Sequence, residues 1–181
     1  METQPRIASA PEDGAPTLRV LMPSPIGPLG IGLLGPAVTR VAIDPAKSEL
    51  RSFIPFHKTA DSDLLDEVFG RLAEYFAGAR RRLDLEIDLC AAGVDPFARR
   101  VLKEAAKIPY GRTRTCRNLA EAVGRPDCGP EIVSILLANP VPIVIPCHRV
   151  VAEDGADGEY VGGARRKRWL LDLESQDGEP L

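Results

Sequence analysis

The hydrophobic rhythm of the chain changes between Leu89 and Asp95, and one layer of one element type cannot satisfy both sides of that change. Ahead of it, Leu18-Arg19-Val20-Leu21-Met22 reads as a strand, and Ser24-Pro25-Ile26-Gly27-Pro28 as a turn. Residues 29–34 and 38–43 read as two more strands, separated by Gly35-Pro36, which makes a β-meander. Ser62-Asp63 stands before Leu64, Leu65, Val68, Leu72, Tyr75 and Phe76, a helical spacing with a capping residue in front and Gly78 near its stop. Leu83, Leu85, Ile87 and Leu89 alternate with acidic residues and predict a half-exposed strand. Ala91-Ala92-Gly93 is then a linker.

Beyond the linker the period becomes helical. Asp95-Pro96 opens a helix carrying Phe97, Val101, Leu102 and Ala105, which stops before Pro109. Thr115 is placed to cap a helix with Leu119, Ala120 and Val123 inward, closed by Gly124. Gly129-Pro130-Glu131 starts another through Ala138. Two short helices joined by a Gly/Pro turn read as a helix-turn-helix or as a plain αα-hairpin. Residues 141–145 are continuously apolar and read as a short buried strand, and residues 165–173 as a helix with Trp169, Leu170 and Leu173 on its apolar side. The chain is therefore expected to be α+β, with domains at 17–93 and 94–175 between a disordered leader, 1–16, and a tail, 176–181.

At 181 residues and 44% hydrophobic the chain can bury a real core. A formal charge of -3 makes it no general magnet for nucleic acid, yet residues 94–175 carry thirteen basic against eleven acidic side chains and the remainder ten against fifteen. The four cysteines show no CxxC pair and no ligand spacing with histidine, so no metal site is expected. Nothing resembles a signal peptide, and no run approaches the roughly 18 apolar residues of a membrane span. An intracellular setting with free thiols follows. His57, in a Pro/Phe/Lys loop, reads as an ordinary surface histidine, and Arg165-Arg166-Lys167-Arg168 as a solvated helix start or a phosphate contact.

Pro146-Cys147-His148-Arg149-Val150 carries the chemistry. Thiols react as thiolates, and an adjacent base is how a protein obtains one at neutral pH. An isolated Cys-His pair is more often a small buried cysteine beside a surface histidine. Here it lies between Asn139-Pro140 upstream and Tyr160, Gly162-Gly163, Trp169-Leu170-Leu171 and Glu174 downstream.

That ordered series resembles the active-site block of the O6-alkylguanine-DNA alkyltransferases. Ser24-Pro25-Ile26-Gly27-Pro28-Leu29, Leu72-Ala73-Glu74-Tyr75-Phe76-Ala77-Gly78 and Ile108-Pro109-Tyr110-Gly111-Arg112-Thr113 extend the resemblance over nearly the whole chain after the leader. It implies an RNase H-like N-terminal domain and a C-terminal catalytic domain with a winged helix-turn-helix. The activity implied is irreversible alkyl transfer from O6-alkylguanine in double-stranded DNA to Cys147, without a cofactor, by a cytoplasmic monomer (nucleoid-associated in a bacterium). His148 is then the base, Glu174 orients it and favours imidazolium, and Asn139 braces the turn under Cys147. Tyr160, Val161, Val150, Cys116 and Leu136 line the pocket for a flipped base, where Gly162-Gly163 permits close approach.

The chain departs from that family in the flipping machinery. Cys116 stands where a tyrosine is usual, and Pro130 where an arginine usually fills the vacated duplex. Ile132 to Leu137 are bulkier than the small residues usual on the recognition helix. Leu137 or Arg125 is left as the wedge in a DNA-binding surface that includes Pro130, since apolar wedges also open base steps. Two other readings stay open: thiol chemistry on another alkylated substrate, and a lesion-sensing or partner-binding protein that uses the apolar helix as its surface.

Overall fold

The computed structural model describes residues 18–50, 54–55 and 63–175, and it is a mixture of helices with small sheets. The leader, His57 and the tail lie outside the described residues. The chain forms two compact units, divided after Gly93.

In the first unit, β1 (Leu18–Met22), β2 (Leu29–Leu34) and β3 (Ala37–Ile43) form the expected meander, antiparallel throughout, with a bulge between Gly32 and Leu33. Gly27 and Gly35 hold positive φ in the two turns, a conformation glycine adopts without a Cβ penalty. The short helix α1 (Lys47–Leu50) is followed by β4 (Ile54–Pro55), which pairs parallel to β1 and gives the order β3-β2-β1-β4. Helix α2 (Asp63–Phe76) buries Leu65, Val68, Leu72 and Tyr75, the stripe its spacing predicts.

Residues 83–89 keep the predicted alternation of burial up to Ile87, but they are not a strand. A single parallel bridge joins Ile87 to Val38, with Val38 N donating to the Glu86 carbonyl (2.8 Å). Asp84 at φ 48 breaks the extended run, so alternation here produced inward side chains without a ladder.

The second unit is mainly helical. Helix α3 (Pro96–Ala106) starts at Asp95, whose carboxylate accepts from Phe97 N (2.9 Å) and Ala98 N (3.0 Å). Strand β5 (Arg114–Thr115) leads directly into α4 (Cys116–Ala122), capped as expected by Thr115, whose hydroxyl accepts from Asn118 N. Helix α5 (Gly129–Leu137) follows, and both α4 and α5 pack on α3. A 3-10 turn, Cys147–Arg149, runs into β6 (Val150–Val151), which pairs parallel to β5, and α6 (Ala164–Ser175) closes the unit.

The strand expected at residues 141–145 is instead a tight turn. Ile145 N donates to the Val141 carbonyl (2.9 Å), Pro142 and Ile145 form a lone bridge, and Ile143 takes φ 74. A buried β-branched residue there is a genuine backbone outlier. Five apolar residues in a row look like a strand, but two prolines, Pro142 and Pro146, remove the donors a ladder needs.

Candidate active site around Cys147

The turn at residues 141–145 sets the position of Cys147. Cys147 N donates back to the Ile145 carbonyl (2.8 Å) just ahead of the 3-10 turn, which Arg149 N closes on the Pro146 carbonyl (2.9 Å), and Cys147 is 3% exposed. Asn139, itself buried, ties the turn together: its Oδ1 accepts from Val141 N (3.0 Å), and its Nδ2 donates to the Ile145 carbonyl (3.1 Å) and to Cys147 Sγ (3.1 Å). Burial pushes the thiol up to about 11, opposed by the Asn139 amide, the Lys167 ammonium and the backbone amides of Cys147 and His148.

Behind the thiol lies a buried charged cluster. His148 Nε2 stands 2.9 Å from Glu174 Oε1. Arg149 Nε donates to Oε2 (2.8 Å) and Nη2 to Oε1 (2.9 Å), a fork that holds both oxygens of the same carboxylate. Gly111 N adds a fourth donor to Oε2 (3.1 Å). Burial opposes the Glu174 charge, but His148 and Arg149 outweigh it and hold the carboxyl well below the usual range. Glu174 does pull His148 toward imidazolium, as expected, but burial outweighs that pull. Desolvation lowers His148, Arg149 and Lys167 add to that, and together they exceed the pull of Glu174. The resting pair is thus a thiol beside a neutral imidazole.

Lys167 also departs from its expected place. It is 1% exposed, with Nζ donating to the Val150 carbonyl (2.6 Å) and the Glu159 carbonyl (3.1 Å). Burial lowers it, while the nearby Cys147, Cys116 and Asp157 pull the other way. The inward face of α6 is Lys167, Leu170 and Glu174, whereas Trp169 and Leu173 are half-buried. Intervals of three and four residues put those three on one face, and that spacing was the available signal for Lys167. Arg149, inside the motif itself, is the other missed residue.

Asn139 contacts Cys147, His148 contacts Glu174, and the rings of Tyr160 and His148 meet edge-to-face at 6.2 Å. Tyr160 Oη is buried with no hydrogen-bond partner among the described residues, and burial, with the charges of Cys147 and Glu174, raises the phenol. Val150 and Leu136 are buried, and Cys116 is half-buried, its thiol raised chiefly by that burial. Val161 is exposed.

The expected DNA-facing residues lie on α5 and the turn before it. Pro130 and Arg125 are exposed, and Leu137 is half-buried. Arg125 sits 4.5 Å over the Phe97 ring and 2.9 Å from Glu131. Among the described residues no group of histidine, cysteine and carboxylate side chains is arranged to hold a metal ion, and no helix is long and apolar enough to cross a membrane.

A buried cysteine touched by the Asn139 amide and followed in the chain by a buried imidazole–carboxylate pair is an arrangement suited to nucleophilic thiol chemistry. Residues 96–176 match the family model described as "6-O-methylguanine DNA methyltransferase, DNA binding domain". The methylated-DNA–protein-cysteine methyltransferase of Mycobacterium bovis is 35% identical over 156 residues, covering 83% of this chain and 88% of that protein. The Methanosarcina barkeri protein of the same name is 34% identical, with 87% and 96% covered. Among solved structures, the Mycobacterium tuberculosis O6-methylguanine methyltransferase superposes with a TM-score of 0.77 at 30% identity, over 91% of this chain and 96% of that one. The M. tuberculosis OGT in complex with DNA gives 0.76 at 32% identity, with 87% and 92% covered. The chain belongs to the methylated-DNA–protein-cysteine methyltransferase family.

Proposed function

We propose that this protein repairs DNA by moving an alkyl group from guanine O6 onto its own Cys147, and that each molecule acts once. The observation that carries the reading is the contact of Asn139 with a buried Cys147 Sγ, directly ahead of the His148–Glu174 pair, in a chain of this family. Cys147 sulfur attacks the alkyl carbon in line, the carbon–oxygen bond breaks, and its electron pair leaves with the guanine oxygen. His148 accepts the thiol proton and Glu174 orients the ring. The thioether formed has no leaving group that water can displace, so the thiol is not regenerated.

In this reading residues 17–93 are an RNase H-like domain, and residues 94–175 are the catalytic domain, with α4 and α5 as a helix-turn-helix and β5–β6 at the base of its wing. A flipped O6-alkylguanine enters between Tyr160, Val161, Val150, Cys116 and Leu136. The unpartnered Tyr160 Oη is a group that a substrate or water in that pocket would satisfy. The partner is duplex DNA bound by a monomer in the cytoplasm, with Pro130, Leu137 and Arg125 at its surface.

A second reading has a specific observation behind it. Helix α5 carries Glu131 and no basic residue, Arg125 is paired with Glu131, and Arg117 is paired with Glu153. A surface so neutralised favours weak duplex binding and reaction with an alkylated base outside a duplex, or lesion sensing without transfer. Parallel reactions with an O6-methylguanine duplex and with free O6-benzylguanine separate these. Faster transfer from the duplex supports repair, transfer from the free base alone supports the second reading, and binding without transfer supports sensing.

A further inference from the structure

We propose that Arg149 is a positioning residue for the proton transfer at Cys147: its guanidinium holds both oxygens of Glu174, leaves that carboxylate one contact with His148, and so keeps the imidazole neutral with its proton on Nε2. The inference rests on the reading of Cys147 as the alkyl acceptor.

The geometry leaves Arg149 little freedom. Two nitrogens fork on Glu174, the third donates to the Ile108 carbonyl (2.6 Å), and the guanidinium lies 5.7 Å from the centre of the Tyr110 ring. Gly111 N takes a further lone pair of Oε2. Glu174 therefore meets His148 as an anion already neutralised by a permanent cation. A carboxylate can only accept, so the proton between Oε1 and His148 Nε2 belongs to Nε2, and Nδ1 carries the lone pair. The charged and titratable groups around this ring are Glu174 and Lys167 of α6, Arg149 of its own turn, and Cys147 and Tyr160 beside it. Burial disfavours a resting imidazolium, and the two cations offset part of the carboxylate's opposing pull. The balance changes only as sulfur gives up its proton: the thiol proton moves to Nδ1 while the sulfur–carbon bond forms and the carbon–oxygen bond breaks. The imidazolium then returns its proton to the departing guanine or to water.

Lysine at position 149 keeps the charge without the fork; methionine keeps the bulk without either. The test is the pH–rate profile of alkyl transfer from O6-benzylguanine for the unaltered protein, Arg149→Lys and Arg149→Met. Loss of the cation should raise the acidic limb of Arg149→Met by about one pH unit or more, while Arg149→Lys keeps the limb and loses about tenfold in rate. A fall in the rate of Arg149→Met with no displacement of its limb would mean that Arg149 is only structural. The 15N shifts of His148 in the unaltered protein give an answer even if Arg149→Met does not fold. A neutral Nε2–H tautomer at pH 7 is expected, and imidazolium or the Nδ1–H tautomer overturns the proposal. Absence of transfer in the unaltered protein would instead refute Cys147 as acceptor, and the tautomer would still be measured.

Discussion

Asn139 Nδ2 stands 3.1 Å from Cys147 Sγ and the same distance from the Ile145 carbonyl, so one amide both closes the turn and touches the sulfur. Asn139 follows the last turn of α5, with its own N–H donating to the Leu136 carbonyl (3.3 Å). The thiol is thereby linked to the end of that helix by a chain of hydrogen bonds.

Replacing Asn139 with alanine leaves the Val141 N–H and one acceptor site at Ile145 without that partner in a dry place. The expected cost is about 1–3 kcal/mol of stability. Alkyl transfer should fall with it, because the sulfur loses its donor. Urea unfolding and single-turnover rates on the same preparation check both.

Gly111 allows the turn after α3 to reach α6. It holds φ 70, and a Cβ there would lie 3.1 Å from the Glu174 backbone oxygen. Gly111→Ala should therefore cost about 1–2 kcal/mol, read as a lowered Tm, and displace the carboxylate that Gly111 N contacts.

Burial of the thiol makes stability depend on pH at the alkaline end. The folded thiol lies near 11 against an ordinary 9.0, so between those values the unfolded chain ionises and the folded one does not. Stability is full below the ordinary value and falls as pH rises through the folded one, by about 3 kcal/mol for two pH units. Cys147→Ser should remove this contribution from denaturant midpoints measured across that range, leaving the smaller slope that the raised Cys116 and Tyr160 groups add.

At the acidic end the sign reverses for Glu174. Its folded carboxyl is depressed, so its contribution is present above the ordinary carboxylate range and is lost as pH falls through the folded value. Glu174→Gln should flatten the acid limb of a stability–pH curve and lower its plateau, since a buried Arg149 would lose its anion.

Much of this was legible in the residues, and the misses have physical causes. Alternation and turn chemistry located β1 to β3 and α2, while Asp95 and Thr115 marked their helix starts by side-chain capping. The β4 pairing depends on a contact between distant segments, which no local pattern carries. Residues 141–145 have strand composition, and only a three-dimensional constraint forces Ile143 to positive φ. Asn139, Cys147, His148 and Glu174 come together because the turn and α6 bring them there. Lys167 and Arg149 were missed because charge suggests solvent, whereas both bury their heads against backbone carbonyls, which satisfy cations without appearing in a motif.

The central claim is that Cys147 receives the alkyl group, and intact mass measures it directly. The protein is incubated with excess duplex bearing one O6-methylguanine, and its mass is read before and after. The expected result is a gain of one methyl in place of a proton, about 14 Da, on the peptide containing Cys147, with no second turnover and no gain in Cys147→Ser. An unchanged mass at saturating duplex, or a methyl found on Cys116, would contradict it.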